Sequence, residues 1–484
     1  MSPADVPDLR LHAPTDSRPR AGGEFVLYWM QTTHRAHDNF ALNYAIERAN
    51  ELHLPLQVYH GLRHDYPWAS DRFHTWILQS VIDLQADFAA LGIHYAFWLD
   101  RSVGEHTDWP AGRRAGEKPL ETRYSGLRTE KTDLLALADR AALVVTDYVP
   151  TFIVPRQIRG LRKKTATPVI AVDSATVVPL RFLEKEFSTA RGIRPVLMEA
   201  LPHYLWRAPA PGLRVRRKID LGFEPTVLHG SAIAELVAQC DIDHSVAPSP
   251  VFRGGTVAGR ARLTQFLAQG LRNYAADRND PTRPDGVSRL SPWLHFGNLS
   301  IHEVLLAAQQ AGPADQYAKF LDEAVTWREL SHNFCHFNPK HRTVAGIPEW
   351  ARKQLSDHEA DPRPSLYSDA EMEQSRTGNA LWNACQRSYV RDGWMHNSVR
   401  MLWGKAMLQW TPNASECLRI LEHFNNKYSL DGRDPNSYGG IMWTFGKFDR
   451  PFYPRPIYGL VRYQSLKAAA DKFDVPRYIR AMGE

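Results

Sequence analysis

The 484-residue sequence has little cysteine: four residues, at 240, 335, 385 and 417, with no pair spaced as CxxC. That scarcity argues against a zinc site, a disulfide framework and a closely spaced iron–sulfur run, so no metal is expected. It fits reduced, buried thiols in a cytoplasmic protein. Long apolar runs are also missing, and no stretch reaches the ~18 residues needed to cross a bilayer. Met1 to Gly23 is polar and lacks the apolar segment of a signal peptide, and residues 1–22 read as a disordered tail. No repeat or low-complexity tract is visible. No GxGxxG follows the first strand, so the Rossmann dinucleotide fingerprint is absent. Neither sign of charge dominates: 59 Lys and Arg stand against 53 Asp and Glu, a net +6 that is mild for a protein binding nucleic acid.

What the sequence does have is apolar and aromatic weight. Hydrophobic residues make up 43%, enough for real cores, and there are 14 Trp, 18 Tyr and 20 Phe. Short apolar runs at 25–30, 54–59, 93–99, 142–148 and 168–172 read as buried strands. Helical patterns at 39–52 and 74–91 lie between them, the second closed by Gly92. This alternation predicts a doubly wound α/β domain with a parallel sheet over 23–183. Residues 184–253 are proline-rich, carry the basic run RVRRK at 214–218, and read as an inter-domain linker. From 254 to 484 strand signals vanish, and helices are expected at 260–277, 301–311, 315–334, 381–391, 396–410 and 414–427. The second domain is therefore all-α.

Three segments of that domain carry most of the chemistry: SRLSPWLHFG at 288–297, FLDEAVTWRELSHNFCHFNP at 320–339, and the stretch from LWNACQ at 381 to NNKYSLDGRDPNSYGGIMW ending at 443. Ser288 and Ser291 bracket Leu290 just ahead of a helix, where hydroxyls and free backbone N–H groups suit either an ordinary cap or a phosphate. Together these segments resemble the FAD-binding domain of the photolyase/cryptochrome family, most closely the class II cyclobutane pyrimidine dimer photolyases. The opening VLYWMQ…DNFAL resembles the first strand and helix of the same class, so the likeness spans almost the whole chain.

The resemblance implies a light-driven carbon–carbon lyase that splits cyclobutane pyrimidine dimers in double-stranded DNA by electron transfer from reduced FAD, with no net redox change. It implies a monomer, with a second antenna chromophore of deazaflavin or folate type for which no motif is assignable. Carried over position by position, FAD would be held by Tyr274, Ser288, Arg289, Leu290, Ser291, Arg328, Asn333, Arg400, Asp431 and Asn425. Arg400 and Asp431 would pair beside the isoalloxazine ring, and Asn425 would face its N5. Trp382, Trp403 and Trp410 match the electron-transfer chain; the last two, seven residues apart, share a helix face. Glu323, Trp327 and Trp443 would meet a flipped-out dimer, with Trp443 in a Gly-rich loop. Arg278, Asn397, Arg450 and Arg455 would contact DNA.

The chain departs from the class II pattern at three places. Asn397 follows His396 where glycine is usual, Asn426 replaces an aspartate beside Asn425, and the loop after Trp443 is one residue shorter. Alternatives are a cryptochrome-like photoreceptor, against which the Glu323–Trp327–Trp443 set and the short remainder after the FAD domain weigh, and a flavin-independent helical nucleic-acid binder. Repair of the (6-4) photoproduct is a third; it would need a histidine pair, of which only His396 is a candidate.

Overall fold

The computed structural model describes residues 6–14, 17–101 and 133–483. Among these, six strands form one sheet: β1 Leu11–His12, β2 Val26–Trp29, β3 Leu56–Leu62, β4 His94–Leu99, β5 Leu143–Asp147 and β6 Val169–Val172. Their order is β1-β6-β5-β2-β3-β4. β2 lies at the centre, pairing parallel with β3 through Val26 opposite Leu56 and with β5 through Val26 opposite Leu143. Every residue of β2 is buried, because helices cover both faces, which is why the strand reads as a continuous apolar run rather than an alternating one. Helix Phe40–Glu51 starts where Asn39 Oδ1 accepts the N–H of Leu42 at 3.0 Å, and helix Asp71–Leu91 ends at Gly92 with φ 64°.

The N-terminal segment departs from the expected tail. Asp8–Arg10 forms a helical turn, and β1 pairs antiparallel with β6. The cause is Arg10, fully buried, whose guanidinium donates to the carbonyls of Asp173, Thr176 and Val177 and lies 3.9 Å from the centre of the Phe40 ring. The linker is also more ordered than its prolines suggest. Thr189 caps a helix at Ala190–Tyr204 that contains Pro195 and Pro202 and packs into the core beside the helical domain.

In the helical half most of the expected helices form; the one expected at 260–277 is broken into Thr256–Gln265, a π turn at Phe266–Gly270 and short turns to Asp277, and further helices lie at Ser291–His295, Glu349–Asp357, Asp369–Glu373, Pro435–Thr444 and Val475–Ala481. The segment expected at 315–334 is α-helical over Ala314–Leu321, widens to a π turn over Asp322–Trp327, and continues as Arg328–Phe337. Pro435–Thr444 packs closely on Arg328–Phe337, because a Cβ on Gly439 would stand 2.2 Å from Ser331 Oγ. Among the described residues no helix is long and apolar enough to cross a membrane.

The two halves are tied by buried polar groups. Arg72, on the long helix of the α/β half, donates to the carbonyls of Tyr428 at 2.7 Å, Val390 at 2.6 Å and Arg391 at 3.1 Å, at the C-terminal ends of two helices of the other half. A cation there satisfies orphan carbonyls and opposes the helix dipoles. In return Glu329, fully buried, accepts the N–H groups of Val177 and Val178.

Candidate functional site

About half of the sequence-derived residues converge on one continuous network in the helical half. Its first part is the loop before Ser291–His295, where Arg262 takes the carbonyls of Val287 and Ser288 at 3.0 and 2.8 Å. Arg289 is held at φ 57°, a backbone strain that a non-glycine residue keeps only when its surroundings impose it. Its guanidinium lies 5.0 Å from the centre of the Trp394 ring, and Trp394 Nε1 donates to Ser291 Oγ at 3.2 Å.

From there the network reaches the expected ion pair. Arg400 donates to Asp431 Oδ1 from both terminal nitrogens, at 3.0 and 3.1 Å, and Ser429 Oγ donates to the same oxygen at 2.6 Å. Burial alone would raise the Asp431 carboxyl; Arg400 with the hydroxyls of Ser291 and Ser429 outweighs it and holds the group below the ordinary range, so it is ionised. Arg400 also lies 5.4 Å from the centre of the Tyr389 ring, and the Tyr389 hydroxyl donates to Asn425 Oδ1 at 2.8 Å. Asn425 is buried inside helix Ala414–Tyr428 rather than capping its end.

The tryptophans continue the line. Tyr389 stands edge-on to Trp403 at 5.5 Å, Trp403 is nearly parallel to Trp382 at 6.1 Å, and Trp382 is edge-on to Trp410 at 5.5 Å. Trp403 lies in helix Asn397–Leu408, but Trp410 falls two residues beyond its end, so the expected shared helix face does not form; Trp382 from a neighbouring helix stands between the two and makes both contacts.

A second group adjoins the first. Glu323 is not a solvated helix face: it pairs with Arg278 at 2.7 Å and with Lys319 at 2.8 Å. Arg278 is 5.9 Å from the centre of the ring of Tyr274, which is buried against Phe320. Burial, reinforced by Arg289 and Arg278, pushes His396 down to about 4, so its ring is neutral at neutral pH. Trp327 is 38% exposed at the end of the π turn, an irregularity frequent at functional sites. Trp443 is not in a loop but in the last turn of Pro435–Thr444. Lys405, fully buried, lies 4.6 Å from the centre of its ring and donates to the carbonyls of Trp443 and Thr444 at 3.1 and 2.8 Å. Asn397, Arg450 and Arg455 are exposed, the last 5.0 Å from the Tyr463 ring.

Two expected cofactor residues lie elsewhere. Both ends of the Asn333 amide are used by the linker: Oδ1 accepts from Phe187 N and Nδ2 donates to Lys185 O, each at 2.8 Å. Arg328 lines a separate cavity. That cavity, about 260 Å³, opens between the sheet and the helical half, bounded by aromatic rings including Trp29, Tyr59 and Phe296. His34 Nδ1, both ring nitrogens of His332 and a terminal nitrogen of Arg328 are buried at it without a hydrogen-bond partner among the described residues. Sequence reasoning missed Tyr389, Ser429 and Lys405. Tyr389, seven residues after Trp382 on one helix, had a periodic signal; Ser429 and Lys405 had none.

The network is suited to a large, flat, anionic group. Nε of Arg289, Nε of Arg400 and Nε2 of His396 are buried donors or acceptors with no partner among the described residues, gathered around Ser291 and Asp431. This fits the phosphates and ring of a flavin nucleotide. No cluster of His, Cys, Asp and Glu able to hold a metal ion is found among the described residues.

Comparison with known proteins agrees with this chemistry. The sequence profile described as DNA photolyase matches residues 26–101. The chain is 34% identical over 464 residues to a deoxyribodipyrimidine photo-lyase of Methanothermobacter thermautotrophicus, covering 95% of each protein. It is 32% identical over 462 residues to the enzyme of that name from Potorous tridactylus, covering 94% of this chain and 80% of the other. Among solved structures, an archaeal photolyase from Sulfolobus tokodaii with two FAD molecules shares the fold. Its TM-score is 0.65 at 17% identity, over 95% of this chain and 90% of that one.

Proposed function

The chain belongs to the photolyase/cryptochrome family, and from that premise we propose that it is a class II deoxyribodipyrimidine photo-lyase, repairing cyclobutane pyrimidine dimers in double-stranded DNA. The observation that carries this reading is the unbroken line from Ser291 through the Asp431–Arg400 pair and Tyr389 to Trp403, Trp382 and Trp410. FAD would be held by Ser288, Arg289, Ser291, Arg400, Asp431 and Asn425 and, when bound, would supply light absorption and the transferable electron. The chain's own part is placement. Arg400, its pair with Asp431 fixed by three hydrogen bonds and by burial, would place a positive charge that favours a reduced ring. Trp382, Trp403 and Trp410, all buried and in ring contact, would relay electrons to it. Trp327 and Trp443 offer rings to a flipped dimer, and Glu323, oriented by Arg278 and Lys319, offers its carboxyl. Asn397, Arg450 and Arg455 lie exposed for phosphate contact.

We assign the second chromophore, of deazaflavin or folate type, to the cavity lined by His34, Arg328 and His332, whose unpartnered nitrogens suit a polar heteroaromatic ring. The protein is read as a cytoplasmic monomer; its four cysteines, unpaired and buried, are consistent with a reducing compartment. In this reading the antenna part of 23–183 extends back to include β1, the FAD part is 254–484, and 184–253 lies between them.

The deciding experiment illuminates the chemically reduced protein with an oligonucleotide carrying a thymine dimer and analyses the products. Restored thymines in light but not in darkness support the reading. Flavin with no repair would favour a photoreceptor.

A further inference from the structure

The amide of Asn425 belongs to a hydrogen-bond chain whose direction is fixed from one end. The backbone N–H of Arg433 can only donate, and it donates to Asn426 Oδ1 at 3.0 Å. That identifies the oxygen end of Asn426. The same oxygen accepts from Asn425 Nδ2 at 3.0 Å. Asn425 Oδ1 is thereby turned toward Tyr389, whose hydroxyl donates to it at 2.8 Å. Turning the Asn425 amide over would bring two oxygens together at Asn426. Asn425, Asn426, Tyr389 and Arg433 are all buried, so bulk water cannot replace a lost partner.

Resting on the flavin reading above, we propose that Tyr389 and Asn426 are positioning residues: they lock Asn425 in one amide orientation and so fix which atom it offers the flavin. One N–H and one oxygen lone pair of Asn425 remain uncommitted, and the lock decides where each points. Asn426 does this without charge. An aspartate there, which the family resemblance leads one to expect, would accept the same two donors but add a carboxylate near a ring that becomes anionic on reduction. The neutral amide favours the reduced form by comparison. Tyr389 is doubly placed, since its ring also stands between the Arg400 guanidinium and Trp403.

The test compares flavin-loaded wild-type, Tyr389→Phe, Asn426→Asp, Asn425→Ala and the Tyr389→Phe/Asn425→Ala double variant, reading flavin content, melting temperature and the midpoint potential of the bound flavin. Tyr389→Phe keeps the ring and removes only the hydroxyl. It should retain flavin and shift the oxidised-to-reduced ratio at a fixed poise about tenfold toward oxidised, about 30 mV for a two-electron couple. In the Asn425→Ala background the same change should have no effect, because Tyr389 acts through Asn425. Asn426→Asp should shift the ratio in the same direction through its charge. An unmoved potential in a fully loaded Tyr389→Phe, or a shift that persists without Asn425, overturns the proposal. Should Tyr389→Phe fail to retain flavin, an unmoved potential in Asn426→Asp overturns it instead. Wild-type protein that binds no flavin would overturn the functional reading, a separate result.

Discussion

The indole of Trp382 lies nearly parallel to that of Trp403, 11° between planes, and its Nε1–H donates to the carbonyl oxygen of Trp403 at 3.0 Å. One residue therefore fixes both the ring contact and the backbone of the helix opposite. Since Trp382 also makes the contact with Trp410, it is the obligatory middle member of the relay. Trp382→Phe should slow photoreduction of the oxidised flavin severely, as should Trp403→Phe, while repair by chemically reduced protein survives. The lost hydrogen bond should lower stability by only about 1 kcal/mol. Wild-type photoreduction in both variants would make these indoles mere core.

DNA affinity should fall as salt rises, because phosphate contacts release counterions. Arg450 is exposed, whereas Arg278 is engaged by Glu323. Arg450→Ala should weaken binding to any duplex and reduce the slope of log K against log salt by about 1. Arg278→Ala should act differently, by releasing Glu323, and should affect damaged DNA more than undamaged. Binding titrations at several salt concentrations distinguish the two; equal effects on both duplexes from each variant would remove Arg278 from the lesion site.

Trp443→Ala should weaken binding to dimer-containing duplex by roughly 1–3 kcal/mol, the worth of one stacked base. The loss should be smaller for a dimer in a single strand, where part of the extrusion cost is already gone. An unchanged ratio of damaged to undamaged affinity would show that the ring does not clamp the lesion.

Burial pushes the Glu329 carboxyl up to about 7, outweighing the two backbone N–H groups that favour its charged form. Between about 4.5 and 7 the native protein holds a proton that the unfolded chain has released. Stability from this group is thus full below the unfolded value and falls as pH rises through the folded one, by up to about 3 kcal/mol. Denaturant unfolding at pH 5 and pH 7.5 checks this. Glu329→Gln should flatten the dependence, and a difference equal to wild type would locate the titration elsewhere.

The inner strands were legible because they are short apolar runs buried on both faces, the edge strand β4 only partly so, and Gly92 marked its helix end. β1 was not, since two residues carry no period; its order comes from Arg10 finding carbonyls more than 160 residues away. Helix Pro435–Thr444 was hidden by Gly439 and Gly440, although Asp434 followed by Pro435 is a start signal that could have been read. At the site, Arg400–Asp431 and the three tryptophans were recovered through family likeness, which carries positions but not partners. Hence Asn333, spent on the linker backbone, and Glu323, held by two cations, differ from what likeness alone implies.

Arg72 has a practical consequence for how the protein can be divided. Its side chain closes the ends of the two helices that carry Tyr389 and Asn425, yet it is encoded some three hundred residues ahead of them. A fragment expressed from 254 onward would leave those helix ends uncapped and the long-helix face bare. The flavin half is thus not a module that can be excised or transplanted, and chimeras between relatives should exchange the Arg72 helix along with it.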